Sequence, residues 1–217
     1  MRIWLATLLL LTLAASALLL PWPTLAELQS HDPALAGTLL LELRLPRVLL
    51  AIGYGSVLGI TGAALQALFG NPLASPDITG ASSGAALGAV FGGYYLGLTN
   101  AWSLGLSGVA GALLALLLLF VLAGRRADTP TLLLSGIAIS LAAGAGTSLL
   151  LALAPSPFAF YDAFDWLMGS LVDRSLPQAV SALVPATLAC LWLVRLSRAY
   201  DALALGEDVA TSLGYPA

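Results

Sequence analysis

Six apolar stretches, each about as long as the roughly 20 residues that cross a bilayer core as a helix, alternate with short polar segments. They run Ile3–Leu20, Val48–Phe69, Thr79–Leu98, Trp102–Leu122, Leu132–Ala154 and Gln178–Leu196. The pattern predicts an all-α, polytopic transmembrane helical bundle of six spans. The segment "DALALGEDVATSLG", Asp201 to Gly214, departs from it: it holds the acids Asp201, Glu207 and Asp208 and no basic residue. Leu205, Val209, Ala210 and Leu213 share one face at helical spacing. A short amphipathic cytoplasmic helix is expected here, with Asp201 capping its start and Gly214 closing its end. Its ridge of Leu205, Val209 and Leu213 calls for a covering surface.

The first stretch has a rival reading. Arg2, the apolar run and "PTLA" at Pro23–Ala26 resemble a secretory signal with its cleavage site. The run is longer than the usual signal core of roughly 7–15 residues, and further spans follow, so a retained first helix is expected. Composition agrees with a membrane protein: 59% of residues are hydrophobic, 9% charged, and mean hydropathy is +0.97, against about one quarter charged in soluble domains.

Arginine placement sets orientation. With the N-terminus inside, Arg2, Arg125, Arg126, Arg195 and Arg198 face the cytoplasm, while Arg44, Arg47 and Arg174 lie outside. That is the side preference of the positive-inside rule, and it places both termini of this chain in the cytoplasm. The outer loops also hold Glu27, Asp32, Glu42, Asp162, Asp165 and Asp173. The net charge of -3 and scattered arginines give no basic patch for nucleic acid. The single cysteine, Cys190, excludes an internal disulfide, and the single histidine, His31, cannot make a metal site alone.

Gly80, Gly84, Gly88 and Gly92 recur every four residues in the third stretch. Lipid offers no hydrophobic force to pull helices together, so small residues that let backbones approach take that role. The stripe is read as helix packing or as the thin wall of a substrate pathway. Gly53, Gly55, Gly59 and Gly62 repeat the theme less regularly. The intervening "GNPLASPDITG" carries Pro72 and Pro76, which interrupt helix, and Asn71 and Asp77, which suit turns and caps. No carboxylate lies within the six stretches and no serine has a base beside it, so neither catalysis nor ion-coupled transport is indicated. Gln66, Thr147 and Ser148 are the polar candidates along a pathway. Phe158, Phe160, Tyr161, Phe164 and Trp166 form an outer aromatic group, read as an interfacial belt or a lip at the pathway's mouth.

Four segments, in order, resemble one family. "LRLPRVLLAIGYGSVLGITGAALQALFGNPLASPDITGASSGAALGAV" (Leu43–Val90), "LLLSGIAIS" (Leu132–Ser140), "DWLMGS" (Asp165–Ser170) and "LALGEDVATSLG" (Leu203–Gly214) are similar to the FecCD-type permeases of ATP-driven importers for iron chelates, haem and vitamin B12. The resemblance implies a single permease domain over residues 1–217, corresponding to the N-terminal part of a ten-span permease whose last four spans are absent here. It assigns Arg44 and Arg47 to docking of a periplasmic substrate-binding protein. It assigns Leu205, Gly206, Glu207, Val209, Leu213 and Gly214 to coupling with a cytosolic ATPase. It further implies a second permease subunit, a bacterial inner-membrane location, no cofactor or resident metal, and no enzymatic activity of the chain itself. The expected cargo is an iron–siderophore chelate, with vitamin B12 or haem as the alternative. A secondary transporter or channel is the alternative of another class, disfavoured by the missing intramembrane charges. A membrane-embedded enzyme lacks an acid–base pair.

Overall fold

The computed structural model of the chain describes residues 2–124, 128–154, 160–161, 164, 167–172 and 174–215. Helices dominate: α1 (Arg2–Leu19), α2 (Trp22–His31), α3 (Pro33–Thr38), α4 (Leu45–Leu68), α5 (Ala81–Tyr94), α6 (Ala101–Ala123), α7 (Thr129–Ala152), α8 (Leu176–Arg195), α9 (Ser197–Ala204) and α10 (Glu207–Ser212). A π-helical segment, Leu39–Arg44, joins α3 to α4, and a 3-10 turn, Pro76–Thr79, precedes α5. The chain divides into two compact units, Met1–Val57 with Leu171–Ala189, and Leu58–Ser170 with Cys190–Ala217.

In the first unit, Asp32 caps α3 by accepting the Leu35 N–H at 3.0 Å, and Pro33 fits the first helical position, where no donor is needed. The π-helical segment ends where Leu45 donates to the carbonyl of Leu40, five residues back. Pro46 follows and is fully buried. A proline inside a helix lacks its donor and presses on the carbonyl four residues earlier, so a locally widened turn at this point relieves both. Val48, Leu50 and Ala179 are buried in the same unit. Gly53 of α4 lies so close to the Leu183 side chain of α8 that a Cβ there would collide with it.

The second unit is built on α5, α6 and α7, with Ala115, Leu119 and Ile139 as a buried cluster and Leu132 packed against it. Asn100 caps α6 by accepting the Trp102 N–H at 2.9 Å, and Asp128 caps α7 by accepting the Thr131 N–H at 3.1 Å. Hydrogen bonds from the Thr131 hydroxyl and then its backbone N–H hold the exposed Asp128 carboxyl below the usual carboxylate range.

Four helical stretches among the described residues are long and apolar enough to cross a membrane: Pro33–Leu68, Ala101–Ala123, Thr129–Ala152 and Leu176–Arg195. Leu9–Leu19 with Pro23–His31, bent by 44°, makes a fifth if the pair is one span. The third expected span is corrected. Its helix covers 14 residues, Ala81–Tyr94, rather than Thr79–Leu98, and rises only about 21 Å at 1.5 Å per residue. Gly80 at φ +80° and Gly97 at φ +65° bound it, conformations that glycine adopts freely and that a continuing helix excludes.

Candidate functional site: helix seam and docking surfaces

The glycine stripe lies at close helix contacts within the second unit. A Cβ on Gly84 would stand 2.6 Å from the Gly111 carbonyl oxygen of α6, and one on Gly92 would stand 2.5 Å from Ser107 Oγ. A Cβ on Gly88 would meet the Ser107 carbonyl oxygen and lie 2.9 Å from Gly111 Cα. These distances are below ordinary carbon contacts, so only glycine lets α5 and α6 come this close. Gly80 instead faces α7, where its Cβ would lie 2.8 Å from Ile139 Cγ2. The partner positions Ser107, Gly111 and Ala115, each one helical turn apart, were not singled out from the sequence.

The turn before α5 is equally well tied down. Asn71 Oδ1 accepts the Leu73 N–H at 2.9 Å, and the Thr79 hydroxyl donates to the Pro76 carbonyl at 2.7 Å. Ser140 of α7 donates to the Asp77 carbonyl at 3.0 Å. One turn earlier on the same helix, Gly136 sits against the Ile78 carbonyl with no room for a Cβ. Of the polar pathway candidates, Thr147 and Ser148 donate to carbonyls of their own helix, at Ala143 (2.9 Å) and Gly144 (3.0 Å).

Gln66 lines a cleft of about 570 Å³ in the second unit, between the last turns of α4, the Gly70–Pro72 turn, the end of α8, and α9. Asn71, Tyr200 and Asp201 are its other polar residues. The expected single amphipathic helix from Asp201 to Gly214 is corrected here. Asp201 lies inside α9 rather than at a helix start, and the chain breaks at Gly206, with φ +108° and ψ 152°. That backbone region is essentially reserved for glycine, so helical periodicity carries through the break without the helix doing so. Ala202 and Ala210 are buried on the inner side, whereas Leu205 is 68% exposed, Val209 40% and Leu213 59%. Gly214, at φ +85°, closes α10: its N–H donates to the Thr211 carbonyl and that of Tyr215 to the Ala210 carbonyl, the paired bonds of a Schellman end.

In the first unit the two arginines differ. Arg44 is half-buried and its Nη1 donates to the Leu18 carbonyl at 2.8 Å. Arg47 is exposed. In the aromatic group, Phe160 stacks with Phe164 at a centroid separation of 6.2 Å and meets Tyr161 edge-on at 5.7 Å. Phe158, Trp166, Asp162, Asp165, Asp173, Arg125 and Arg126 lie outside the described residues. Among the described residues no cluster of three or more His, Cys, Asp or Glu side chains is placed to hold a metal ion.

Long apolar helices joined through glycine seams, with a polar helical pair near the chain's end, define a polytopic helical membrane protein. The chain belongs to the FecCD transport family, whose family model matches residues 3–217. It is 37% identical over 204 residues to the cobalamin import system permease protein BtuC of Halobacterium salinarum, covering 90% of this chain and 54% of that protein. It is 36% identical over 221 residues to the achromobactin transport system permease protein CbrC of Dickeya dadantii, covering 98% of this chain and 63% of that protein. Its fold superposes with a TM-score of 0.81 and 29% identity on a solved chain described as a metal-chelate type ABC transporter in an inward-facing conformation, covering 96% of this chain and 66% of the other. The chain therefore spans a little over half to two thirds of the length of these relatives. The family is one of transport permeases rather than an enzyme class.

Proposed function

We propose that the chain is the N-terminal part of a permease in a binding-protein-dependent ABC importer. The match to the family along nearly the whole chain carries this reading. In it, the protein lies in the bacterial inner membrane with both termini of this chain cytoplasmic, as arginine placement favours. Residues 1–217 act as one permease domain, paired with a second permease subunit.

The α9–α10 pair is the coupling element. Leu205, Val209 and Leu213 are exposed apolar side chains on a segment too polar to sit in lipid, which supports docking into a groove on the cytosolic ATPase. Gly206 shapes the break between the helices and Gly214 their end, while Glu207 lies at the start of α10. Arg47, which arginine placement assigns to the periplasm, offers an exposed cation to acids of a periplasmic substrate-binding protein, with Arg44 three residues before it. The stripe Gly80, Gly84, Gly88 and Gly92 serves packing, because its closest neighbours are other helices.

The cargo is an iron–siderophore-type chelate. The achromobactin permease among the relatives favours this cargo, and the cobalamin permeases beside it make vitamin B12 the alternative, since the small, neutral residues of the membrane segments select neither. Vesicles containing the full-length permease, its ATPase and its binding protein provide the test. ATP-dependent uptake of a ferric siderophore is the expected result. Uptake of cobalamin or haem instead would move the substrate within the family, and uptake without ATP would favour a secondary transporter or channel.

A further inference from the structure

Arg44 and Arg47 stand three residues apart with the same charge, but the structure gives them different surroundings. The Arg44 guanidinium reaches 26 positions back along the chain to the Leu18 carbonyl, at 2.8 Å in a part-buried setting. Leu18 lies in the last turn of α1, where the final four carbonyls of a helix lack partners within it. A cation at that end also meets the negative pole of the helix dipole.

The π-helical segment Leu39–Arg44 explains how the side chain is aimed. Bonding to the fifth rather than the fourth preceding residue adds about one residue to the turn, delaying the helix face by about 100°. The widened turn ends on Arg44 itself, two residues before Pro46. The same local feature that accommodates the proline thus sets the direction of the guanidinium.

We propose that Arg44 is a positioning residue: it clasps the end of α1 to the head of α4 and thereby fixes the outer surface from which Arg47 projects. The functional consequence rests on the reading of that surface as the docking face for the binding protein. Arg44 then acts through the placement of α1, and Arg47 carries the charge that meets the partner.

Hydrogen–deuterium exchange on the full-length permease in lipid nanodiscs tests the clasp, with binding-protein titration at several salt concentrations alongside. The probe is the purified ferric-siderophore-binding protein of the source organism. Arg44→Met keeps an apolar stem and removes the donors, so exchange in the last turn of α1 should rise severalfold while peptides from α5 and α6 stay unchanged. Arg44→Lys, which retains a donor, should restore most of the protection. Arg47→Met should leave exchange in α1 at the wild-type level, lower affinity up to about fivefold at low salt and flatten the salt dependence. Unchanged exchange in Arg44→Met overturns the clasp, as does failure of Arg44→Lys to restore protection. Equal flattening of the salt dependence by Arg44→Met and Arg47→Met overturns the division of roles. Unaltered binding in Arg47→Met, with α1 loosened by Arg44→Met, would remove the docking reading and leave the clasp standing.

Discussion

Ser140 donates its hydroxyl to the Asp77 carbonyl at 3.0 Å, fastening the Pro76–Thr79 turn to α7. Gly136, one turn earlier on that helix, gives the Ile78 carbonyl its space. A polar bond and an absent side chain thus act at adjacent points of one contact, and both put the start of α5 where Gly80 can turn.

The two contributions can be separated by substitution. Gly136→Ala places a methyl against backbone and should cost about 1–3 kcal/mol as overpacking. Ser140→Ala should cost less, about 0.6 kcal/mol as an average for hydrogen bonds between membrane helices. Gly144→Ala, where the neighbouring space is open, is the control and should not lower stability. Thermal unfolding of the purified protein in detergent measures all three. An order reversed between Gly136→Ala and Ser140→Ala would contradict the steric account.

The α5–α6 seam should show the same position dependence. Gly111→Ala introduces a Cβ against the Gly84 carbonyl, whereas Gly105→Ala enters open space. The first should destabilise by about 1–3 kcal/mol, and the second should be neutral or slightly stabilising through better helix propensity. A Gly111→Ala variant as stable as Gly105→Ala would show that the seam tolerates wider spacing than the structure has.

Much of this was legible in the chain because membrane packing leaves a simple mark. The stripe from Gly80 to Gly92 stood out by its unbroken four-residue step. Its partners Ser107, Gly111 and Ala115 follow the same step, but they are dispersed among leucines of a strongly apolar helix. The shortness of α5 was hidden because hydropathy cannot tell an apolar helix from an apolar turn: Tyr95 and Leu96 continue the pattern after the helix has ended. The break at Gly206 was hidden for a related reason, since Leu205, Val209 and Leu213 keep helical spacing across a backbone angle that depends on glycine. Arg44 and Arg47 looked equivalent because nothing in their spacing encodes the phase shift of a π-helical turn.

Asp128 supplies a pH-dependent helix start. Its carboxyl is held below the usual range chiefly by the Thr131 hydroxyl and then by the Thr131 N–H. A lowered folded-state value means that the stabilisation is fully present above the ordinary carboxylate value, near 3.9, and is lost as pH falls through the lowered one. After correction for intrinsic chemical exchange, the Thr131 amide should show protection that declines only in that acidic range. Asp128→Ala should remove the protection at every pH. A pH-independent protection in the wild-type chain would show that the carboxylate is not the cap.

Orientation is testable by accessibility of single cysteines in a Cys190→Ser background. Ser30→Cys, at an exposed position of α2, should react with an impermeant reagent from the periplasmic side. Thr129→Cys, at the start of α7, should react only after the membrane is opened. The reverse labelling pattern would invert the chain and move Arg47 away from any binding protein.

The α9–α10 pair gives the sharpest test of coupling. Ala202 and Ala210 are buried in this pair, whereas Leu205, Val209 and Leu213 leave a large part of their apolar surface uncovered by their own unit. Apolar side chains at these positions gain by burial on a partner, at roughly 1.5–3 kcal/mol for each one fully removed from water. Rim carboxylates contribute much less, about 0–1 kcal/mol for an exposed pair. Leu205→Asp and Val209→Asp should therefore abolish capture of the cognate ATPase by the full-length permease, while Glu207→Gln should weaken it only slightly. Gly206→Ala adds an independent arm: the backbone at φ +108° resists a Cβ, so this change should misplace Leu205 relative to Val209 and reduce capture without altering any charge or apolar surface. Membrane insertion is checked separately for each variant, so that loss of capture reports on the interface. Normal capture by both apolar-to-Asp variants would falsify the coupling role, and normal capture by Gly206→Ala alone would show that the groove does not depend on the break between the helices.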